Sequence, residues 1–222
     1  MAIAPASDGS QVRPLPGIAQ MRENAACAAA LLKALMRWWL PAAVLCVACA
    51  PRAANAPSSE PGFKLESSLL VPNGALSAEQ AYDRLGCGGR NVSPPLRWSG
   101  APAGTRSFAL TMYDPDARGG KGWWHWAVYD IPASSSGLPQ SAGNPGGALP
   151  PPALQARIDF GFAGYGGPCP PAGDKRHHYV FTVYALKTER LDLPAGSPVR
   201  TLSDAIEANQ LAAASLTGTY GR

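Results

Sequence analysis

The sequence has few charged residues and lacks the motifs of several common functional classes. Only 15% of its 222 residues are charged, and no run of Lys and Arg is longer than two residues. Because nucleic-acid affinity depends largely on clustered positive charge, we expect no nucleic-acid partner. The G-x-S-x-G nucleophile elbow, the H-E-x-x-H zinc motif and the P-loop are also absent. These absences favour a binding protein over a hydrolase with a standard motif.

The composition also argues against a mainly helical architecture. Glycine (24) and proline (23) together are too frequent for a helical bundle or a coiled coil. Hydrophobic residues nevertheless make up 46% of the chain, and six residues are Trp, so there is enough apolar surface to form a core. We therefore expect short strands separated by turns, in a mostly β fold.

Residues 1–60 have the features of a targeting segment followed by a flexible tether. Arg37 precedes a short apolar run at 38–50, and small residues follow, which is the order of a secretory signal. The run is too short to span a bilayer as a helix of the mature protein. Because such a signal normally begins close to the translation start, the true start is predicted at Met21 or Met36.

Two processing routes remain open for this segment. The tripeptide that ends at Cys49 resembles a lipobox, with Cys49 as the lipidation candidate, although Cys46 stands where Leu is usual. The small residues at 54–56 fit a signal-peptidase site instead. Either route predicts an exported protein, periplasmic or held at the cell envelope by a lipid anchor, with a folded domain over 61–222. The alternative is a buried helix of a cytoplasmic protein.

Four segments have the alternation or the apolar content of β-strands, and proline-rich connectors separate them. They cover residues 63–69, 106–113, 124–131 and 179–186. In the second segment, Phe108, Leu110 and Met112 fall on one face. The fourth segment is almost wholly apolar, which is typical of a central strand. Short strands with turns between them predict an antiparallel sandwich of two sheets.

Helices are predicted only at the periphery of the sheets. One runs from Thr201 to about Leu216 and closes the chain, with Thr201 and Asp204 at the spacing of a capping box and Gly218 as a stop. A weaker helical pattern covers residues 77–85.

All three histidines lie in two glycine-rich segments. The first leads from Asp114 to His125, and the second ends in His177, His178 and Tyr179. Each segment joins a loop to a predicted strand, so two such loops at one end of a sheet would bring Asp114, His125, His177 and Tyr179 together. Alternation places His177 and Tyr179 on one face and His178 on the other.

A cup lined by these groups suits a small anion. A carboxylate beside an imidazole favours the protonated ring, and a phenol O–H and glycine N–H groups add further donors. Such donors bind phosphate, sulfate or carboxylate. The neighbouring Trp residues would supply an apolar wall. The alternative is that the His and Asp side chains are satisfied polar groups at the rim of a sheet.

Together, these segments resemble the phosphatidylethanolamine-binding protein family, and its bacterial Raf-kinase-inhibitor-like branch fits best. The matching motifs are Asn91 to Trp98 (NVSPPLRW), Asp114 to Ala117 (DPDA), Gly122 to Trp126 (GWWHW), the G-P-C-P-P run with His177-His178-Tyr179, and Leu216 to Tyr220 (LTGTY). They occur in the family's order over residues 63–222. Any one motif alone is weak, but the set is specific.

The resemblance implies both a fold and a site. The family fold is a central antiparallel β-structure of two sheets with a few peripheral helices, and its shared feature is a small pocket for phosphate-type anions. Carried over position by position, the pocket residues are Asp114, Asp116 (which orders the loop), Trp123, His125, His177 and Tyr179, with N–H groups donated near Gly167 and Cys169. No cofactor or metal is implied. Arg118 follows D-P-D-A, where eukaryotic members soon have Pro, so their kinase-regulating surfaces are not carried over.

Cys87 and Cys169 are candidates for a disulfide if the domain is exported. Cysteines in an oxidising compartment commonly pair. Because Cys169 lies in the loop that the resemblance assigns to the pocket, a bond would fix that loop. The alternative is two free buried thiols.

The sequence therefore predicts an exported protein that captures a small anionic or phosphorylated ligand without transforming it. One alternative is a hydrolase that uses His125, His177 and Asp114 as acid–base groups or metal ligands, although their spacing fits no standard metal motif. Another is regulation of an unknown protein partner, as a protease or kinase inhibitor would do. If both histidines bind the anion as cations, affinity should weaken as pH rises, whereas flat affinity would indicate neutral rings.

Overall fold

The computed structural model describes residues 62–222. The predictions of a start at Met21 or Met36, of lipidation at Cys49 and of cleavage at 54–56 lie outside the described residues. The elements in chain order are β1 (Lys64–Glu66), β2 (Gly74–Ala75), β3 (Leu96–Ser99), β4 (Ser107–Asp114), α1 (Ala117–Gly120), β5 (Trp123–Pro132), β6 (Gly137–Leu138), β7 (Leu154–Gln155), β8 (His177–Leu186), α2 (Val199–Asn209) and β9 (Gln210–Tyr220). Among these elements, neither helix is long and apolar enough to cross a bilayer.

The strands form two sheets, which confirms the predicted mostly β class. The larger sheet has six strands in the order β2-β9-β8-β4-β5-β7, and the smaller has three in the order β1-β3-β6. All pairings are antiparallel except the short parallel pair of β2 with β9. The predicted strand over 63–69 is present only as the three residues of β1. The other three predicted strands form within a few residues of their expected bounds.

The central strands β4, β5 and β8 have buried residues on both faces. Phe108, Leu110 and Met112 of β4 contribute to the larger hydrophobic core. Ala109 faces the opposite side and packs with Leu202 of α2 in a second core. Burying one such Leu side chain contributes about 1.5–3 kcal/mol to the hydrophobic free energy of folding. The sheet is therefore a rigid support for the residues at its ends.

The predicted helix that closes the chain is wrong beyond Asn209. There α2 ends, and the chain continues as β9, which pairs antiparallel with β8 along almost its whole length. Ala214, Leu216 and Gly218 are buried while their neighbours are more exposed, which is the period of a strand. The Ala-rich sequence favours helix by intrinsic propensity, but pairing with β8 and burial of one face outweigh it.

The predicted capping box is also wrong. Helix α2 begins at Val199 after Pro198, without a side-chain cap, so Thr201 lies inside the first turn. The N–H of Val199 donates to the carbonyl of Arg157 at 2.9 Å. The free N–H at the start of the helix is therefore satisfied by the backbone carbonyl of Arg157 rather than by a capping side chain.

The weak helix expected over 77–85 is replaced by turns. The backbone groups of this segment bond to distant partners: the carbonyl of Ala81 accepts from the N–H of Asn91 at 2.7 Å, and the N–H of Tyr82 donates to the carbonyl of Pro168 at 3.0 Å. One i to i−4 bond forms, from the N–H of Ala81 to the carbonyl of Ser77 at 3.2 Å. Because the next groups are already used by distant partners, this turn does not continue as a helix.

Candidate functional site

The central strands bring the predicted site residues to one end of the larger sheet. Because β4 is antiparallel to both β5 and β8, its last residues lie beside the first residues of those two strands. Asp114 at the end of β4 pairs with Trp123 at the start of β5. At the start of β8, His177 and Tyr179 are buried and His178 between them is exposed. The alternation predicted for this strand is therefore confirmed.

A cavity of about 410 Å³ opens at this end of the sheet. It is lined by seven of the eight residues expected to form the pocket: Asp114, Asp116, Trp123, His125, Cys169, His177 and Tyr179. Gly167 does not line it. Further lining residues include Arg118, Phe160, Pro170, Pro171 and Asp174. The cavity thus combines aromatic and proline walls with a cluster of polar groups.

Asp114 uses both carboxylate oxygens within the protein. Its Oδ1 accepts the N–H groups of Asp116 at 2.9 Å and Ala117 at 3.1 Å, which closes the turn after β4. Its Oδ2 accepts the Nδ1–H of His177 at 2.8 Å, and both side chains are buried. Asp114 therefore fixes the orientation and tautomer of His177.

Asp116 anchors the loop to the exposed side of β8. Its Oδ2 accepts both the backbone N–H and the Nδ1–H of His178, each at 2.8 Å. These hydrogen bonds, the backbone one first, hold the pKa of Asp116 below its usual range. Lys175 Nζ lies 3.9 Å from the other oxygen. Asp116 thus orders the loop in this structure, as the resemblance implies.

His125 is a buried imidazole with one fixed tautomer. Its Nδ1 is 2.7 Å from the carbonyl oxygen of Gly166 and must donate the proton, because a carbonyl only accepts. Burial lowers the pKa of His125, and the Gly166 carbonyl and the charge of Asp114 oppose that shift only in part. The ring is therefore neutral near pH 7, with Nε2 unprotonated. The rings of Phe160 and Tyr179 approach it edge-on, at 5.3 and 5.1 Å between centroids.

Two buried donors in the cavity wall have no hydrogen-bond partner. They are Nε1 of Trp123 and the hydroxyl of Tyr179. Tyr179 is completely buried. Burial first, and then the nearby Asp114 carboxylate, raise the pKa of its phenol, so the hydroxyl stays protonated. A buried donor without a partner costs about 1–3 kcal/mol. Both side chains line the cavity, so a ligand oxygen that reached either atom would supply the missing partner.

Arg118 and Asp174 are lining residues that the sequence interpretation did not assign to the site. The Arg118 guanidinium lies 5.6 Å from the ring centroid of Trp123, in cation–π range. Asp174 Oδ2 is 3.7 Å from Nε2 of His177. The sequence did mark Arg118, because it follows D-P-D-A where eukaryotic members soon have Pro, a few residues before Trp123 and Trp124. Asp174 and Phe160 come from irregular segments, where no periodic pattern marks a position.

Gly167 corrects the expectation of a ligand-binding N–H at that position. Its N–H donates to Oδ1 of Asn91 at 2.7 Å, so it is not free for a ligand. The same Asn91 side chain donates through Nδ2 to the carbonyl of Tyr165 at 3.0 Å. A side chain at position 167 would collide with the carbonyl of Gln80. The glycine is therefore required for close packing of this loop rather than for access to an anion.

A disulfide joins Cys87 and Cys169, whose Cα atoms are 5.6 Å apart. Arg222 reinforces this connection, because its Nε donates to the carbonyl of Pro170 at 2.7 Å and its NH1 to the carbonyl of Gly86 at 3.0 Å. The wall that carries Pro170 is thus held covalently and by an arginine. Within residues 62–222, no group of three or more His, Cys, Asp or Glu side chains could hold a metal ion.

Comparison with known proteins identifies the family. The model of the phosphatidylethanolamine-binding protein family matches residues 66–221. The chain belongs to this family. The resemblance seen in the motifs is therefore confirmed, and the two-sheet architecture agrees with that of a solved member. In the crystal structure of YbcL from Escherichia coli, 98% of the solved chain matches 72% of this chain, with a TM-score of 0.70 and 46% identity.

Curated relatives of this chain include two UPF0098 proteins of E. coli and one mycobacterial protein. The UPF0098 protein YbcL of E. coli is 47% identical over 159 residues, which cover 71% of this chain and 87% of YbcL. The UPF0098 protein YbhB of E. coli is 43% identical over 158 residues, covering 71% of this chain and 99% of YbhB. LppC of Mycobacterium tuberculosis, whose name describes it as a candidate lipoprotein, is 38% identical over 165 residues, covering 74% of this chain and 75% of LppC.

Proposed function

We propose that this member of the family is an exported binding protein whose cavity captures a small phosphate-type anion without transforming it. The observation that carries the proposal is the pair of unpartnered buried donors, Nε1 of Trp123 and the hydroxyl of Tyr179. Native proteins seldom leave such groups unsatisfied unless a solvent molecule, an ion or a ligand completes them. Both donors belong to residues that line one cavity, so an oxyanion that reaches them there would supply the missing acceptors.

The other polar groups of the cavity support the same ligand class. Arg118 brings a permanent positive charge to the lining, and its contact with Trp123 orients the guanidinium. His177 is held by Asp114, so its ring has one fixed orientation in the cavity wall. An anion would therefore meet an oriented guanidinium and a fixed ring rather than mobile surface charges, which reduces the entropy lost on binding.

Export is the second part of the proposal and rests on separate observations. The first 60 residues have the pattern of a secretory or lipoprotein signal. The relative LppC, which is 38% identical over 165 residues, is named as a candidate lipoprotein. The disulfide between Cys87 and Cys169 is typical of an oxidising compartment outside the cytoplasm. We infer a periplasmic or lipid-anchored protein of the cell envelope.

Calorimetric titration of the purified protein with inorganic phosphate tests the anion site. Tyr179→Phe removes a hydroxyl that has no protein partner, so it should weaken phosphate binding about tenfold without lowering stability. Tyr165→Phe is the matched control: Tyr165 is also fully buried, but its hydroxyl donates to the carbonyl of Gln80 at 3.0 Å. That variant should lose about 1 kcal/mol of stability and keep phosphate affinity.

The outcomes separate the site from the fold. Phosphate binding that is lost in Tyr179→Phe and kept in Tyr165→Phe supports the anion cavity. Wild-type protein that binds neither phosphate nor small phosphomonoesters would refute it and direct attention to a protein partner. Release of phosphate from phosphomonoesters during the same titrations would contradict the proposal that the ligand is not transformed.

A further inference from the structure

The cavity presents a nitrogen acceptor beside its donors. His125 lines the cavity, and among the described residues the one side-chain hydrogen bond of its ring is from Nδ1 to the carbonyl of Gly166. Because Nδ1 must carry the proton in that bond, the neutral ring has a lone pair on Nε2. Trp123 and Tyr179 offer protons from the same lining. A ligand that satisfies every one of these groups must accept hydrogen bonds and also donate one.

Oxyanions differ in this respect even when their size and charge agree. Sulfate has four oxygens without a proton, so an oxygen placed near Nε2 of His125 would set one lone pair against another. Hydrogen phosphate retains one P–OH group, which can donate to that nitrogen. A buried acceptor that faces another acceptor loses a hydrogen bond, and binding sites reject analogues on this basis.

Resting on the proposed anion site, we propose that the cavity selects oxyanions that retain a proton on one oxygen, such as inorganic phosphate, over fully ionised oxyanions such as sulfate. The acceptor that selects them is Nε2 of His125, and the carbonyl of Gly166 fixes the tautomer that makes it an acceptor.

The same chemistry ranks the phosphate esters. The monoanion of a phosphomonoester keeps one P–OH and loses it near pH 6. A phosphodiester has none at any pH above its first ionisation. Inorganic phosphate should therefore bind at neutral pH, a phosphomonoester should bind better below about pH 6 than above it, and dimethyl phosphate should bind poorly throughout.

The charged and titratable groups around the ring act on both anions alike. They are Asp114 at the end of β4, Asp159 before Phe160, and the cavity-lining Asp116, Arg118, Asp174, His177 and Tyr179. Burial lowers the pKa of His125 more than the nearby Asp114 and Asp159 carboxylates and the Gly166 and Gly167 carbonyls raise it. His177 also donates its Nδ1 proton, to Asp114, but its Nε2 lies 3.7 Å from Oδ2 of Asp174. Among the described residues, no carboxylate oxygen lies within 4 Å of a ring nitrogen of His125, so the selection is assigned to Nε2 of His125.

Calorimetric titrations of the wild-type protein with phosphate and with sulfate, at neutral pH and equal ionic strength, test the proposal. We expect phosphate to bind about tenfold more tightly or better. His125→Asn keeps an N–H at the position of Nδ1 for Gly166 but removes Nε2, so the ratio of the two affinities should fall towards one. Arg118→Gln is the matched control, which should weaken both anions and leave their ratio unchanged.

A wild-type protein that binds sulfate as tightly as phosphate would overturn this inference while leaving the anion cavity intact. Wild-type protein that binds neither anion would refute the anion cavity and this inference with it. If His125→Asn fails to fold, the wild-type ratio measured as pH falls gives the second readout. Protonation turns Nε2 into a donor, so the preference for phosphate should shrink towards acid pH, and a preference that grows would contradict the assignment.

Discussion

Removal of the disulfide tests how the wall of the cavity is held. The perturbation is the double substitution Cys87→Ala/Cys169→Ala, which deletes the cross-link and leaves no lone thiol at either position. The two cysteines are 82 positions apart in sequence. In the loop-entropy model, a cross-link that closes a loop of this size lowers the entropy of the unfolded chain by about 15 cal/mol/K, which corresponds to about 4.5 kcal/mol at 25 °C. Measured values are often smaller, so we expect a loss of about 2–4.5 kcal/mol.

Urea unfolding followed by circular dichroism measures this loss. For a domain of this size, the midpoint of thermal unfolding should fall by roughly 2–4 °C per kcal/mol. Wild-type protein in reductant should approach the stability of the double variant. The cavity should survive in the folded variant, because Arg222 still bonds to the carbonyls of Pro170 and Gly86. Unfolding free energies within about 0.5 kcal/mol of each other for wild type and variant would refute the reasoning, since that is the scale of a neutral surface change.

Two further predictions concern carboxylates with shifted pKa values. Asp116→Asn should lower stability at pH 7 by about 0.5–1 kcal/mol, because the carboxylate accepts two hydrogen bonds from His178. The pKa of Asp116 is lowered by folding, so this contribution to stability is present above the unfolded pKa of about 3.9 and is lost as pH falls below it. Urea unfolding at pH 7 and pH 2 should therefore show that the unfolding free energies of wild type and variant become equal in acid. Asp130→Asn should be neutral or stabilising by up to about 1 kcal/mol at pH 7, because Asp130 is buried with Oδ2 unpartnered and burial raises its pKa. The wild type should therefore lose stability relative to this variant as pH rises through about 4. A variant that is clearly less stable at pH 7 would contradict this, and would show that the attraction between Asp130 and Arg190, 3.8 Å apart, exceeds the cost of burying the carboxylate.

Local sequence patterns were sufficient to locate the central strands whose ends carry residues of the candidate site. The alternation of 106–113 and the apolar run of 179–186 located β4 and β8, and the glycine-rich segments next to these predicted strands contain Asp114 and His177. The segment after Asn209 could not be read in this way. Its alanines favour a helix locally, and only pairing with β8 makes a strand the better choice.

Contacts made by irregular segments were the other part that sequence patterns did not reveal. Nothing periodic indicates that Asp174 approaches His177, or that the N–H of Gly167 is already bonded to Asn91. Glycine in a motif suggests close approach of the backbone to something, but the partner here is another loop rather than an anion.

The two side-chain hydrogen bonds of Asn91 affect His125, although Asn91 does not line the cavity. Its side-chain amide forms hydrogen bonds to the loop on both sides of Gly166, with the carbonyl of Tyr165 and the N–H of Gly167. The carbonyl of Gly166 in turn decides which nitrogen of His125 is protonated. If Asn91 released the loop, the ring could exchange tautomers, and the surface that accepts a proton could become one that offers it. The side-chain amide of Asn91, which does not line the cavity, therefore helps to determine which nitrogen of His125 a bound ligand meets as an acceptor.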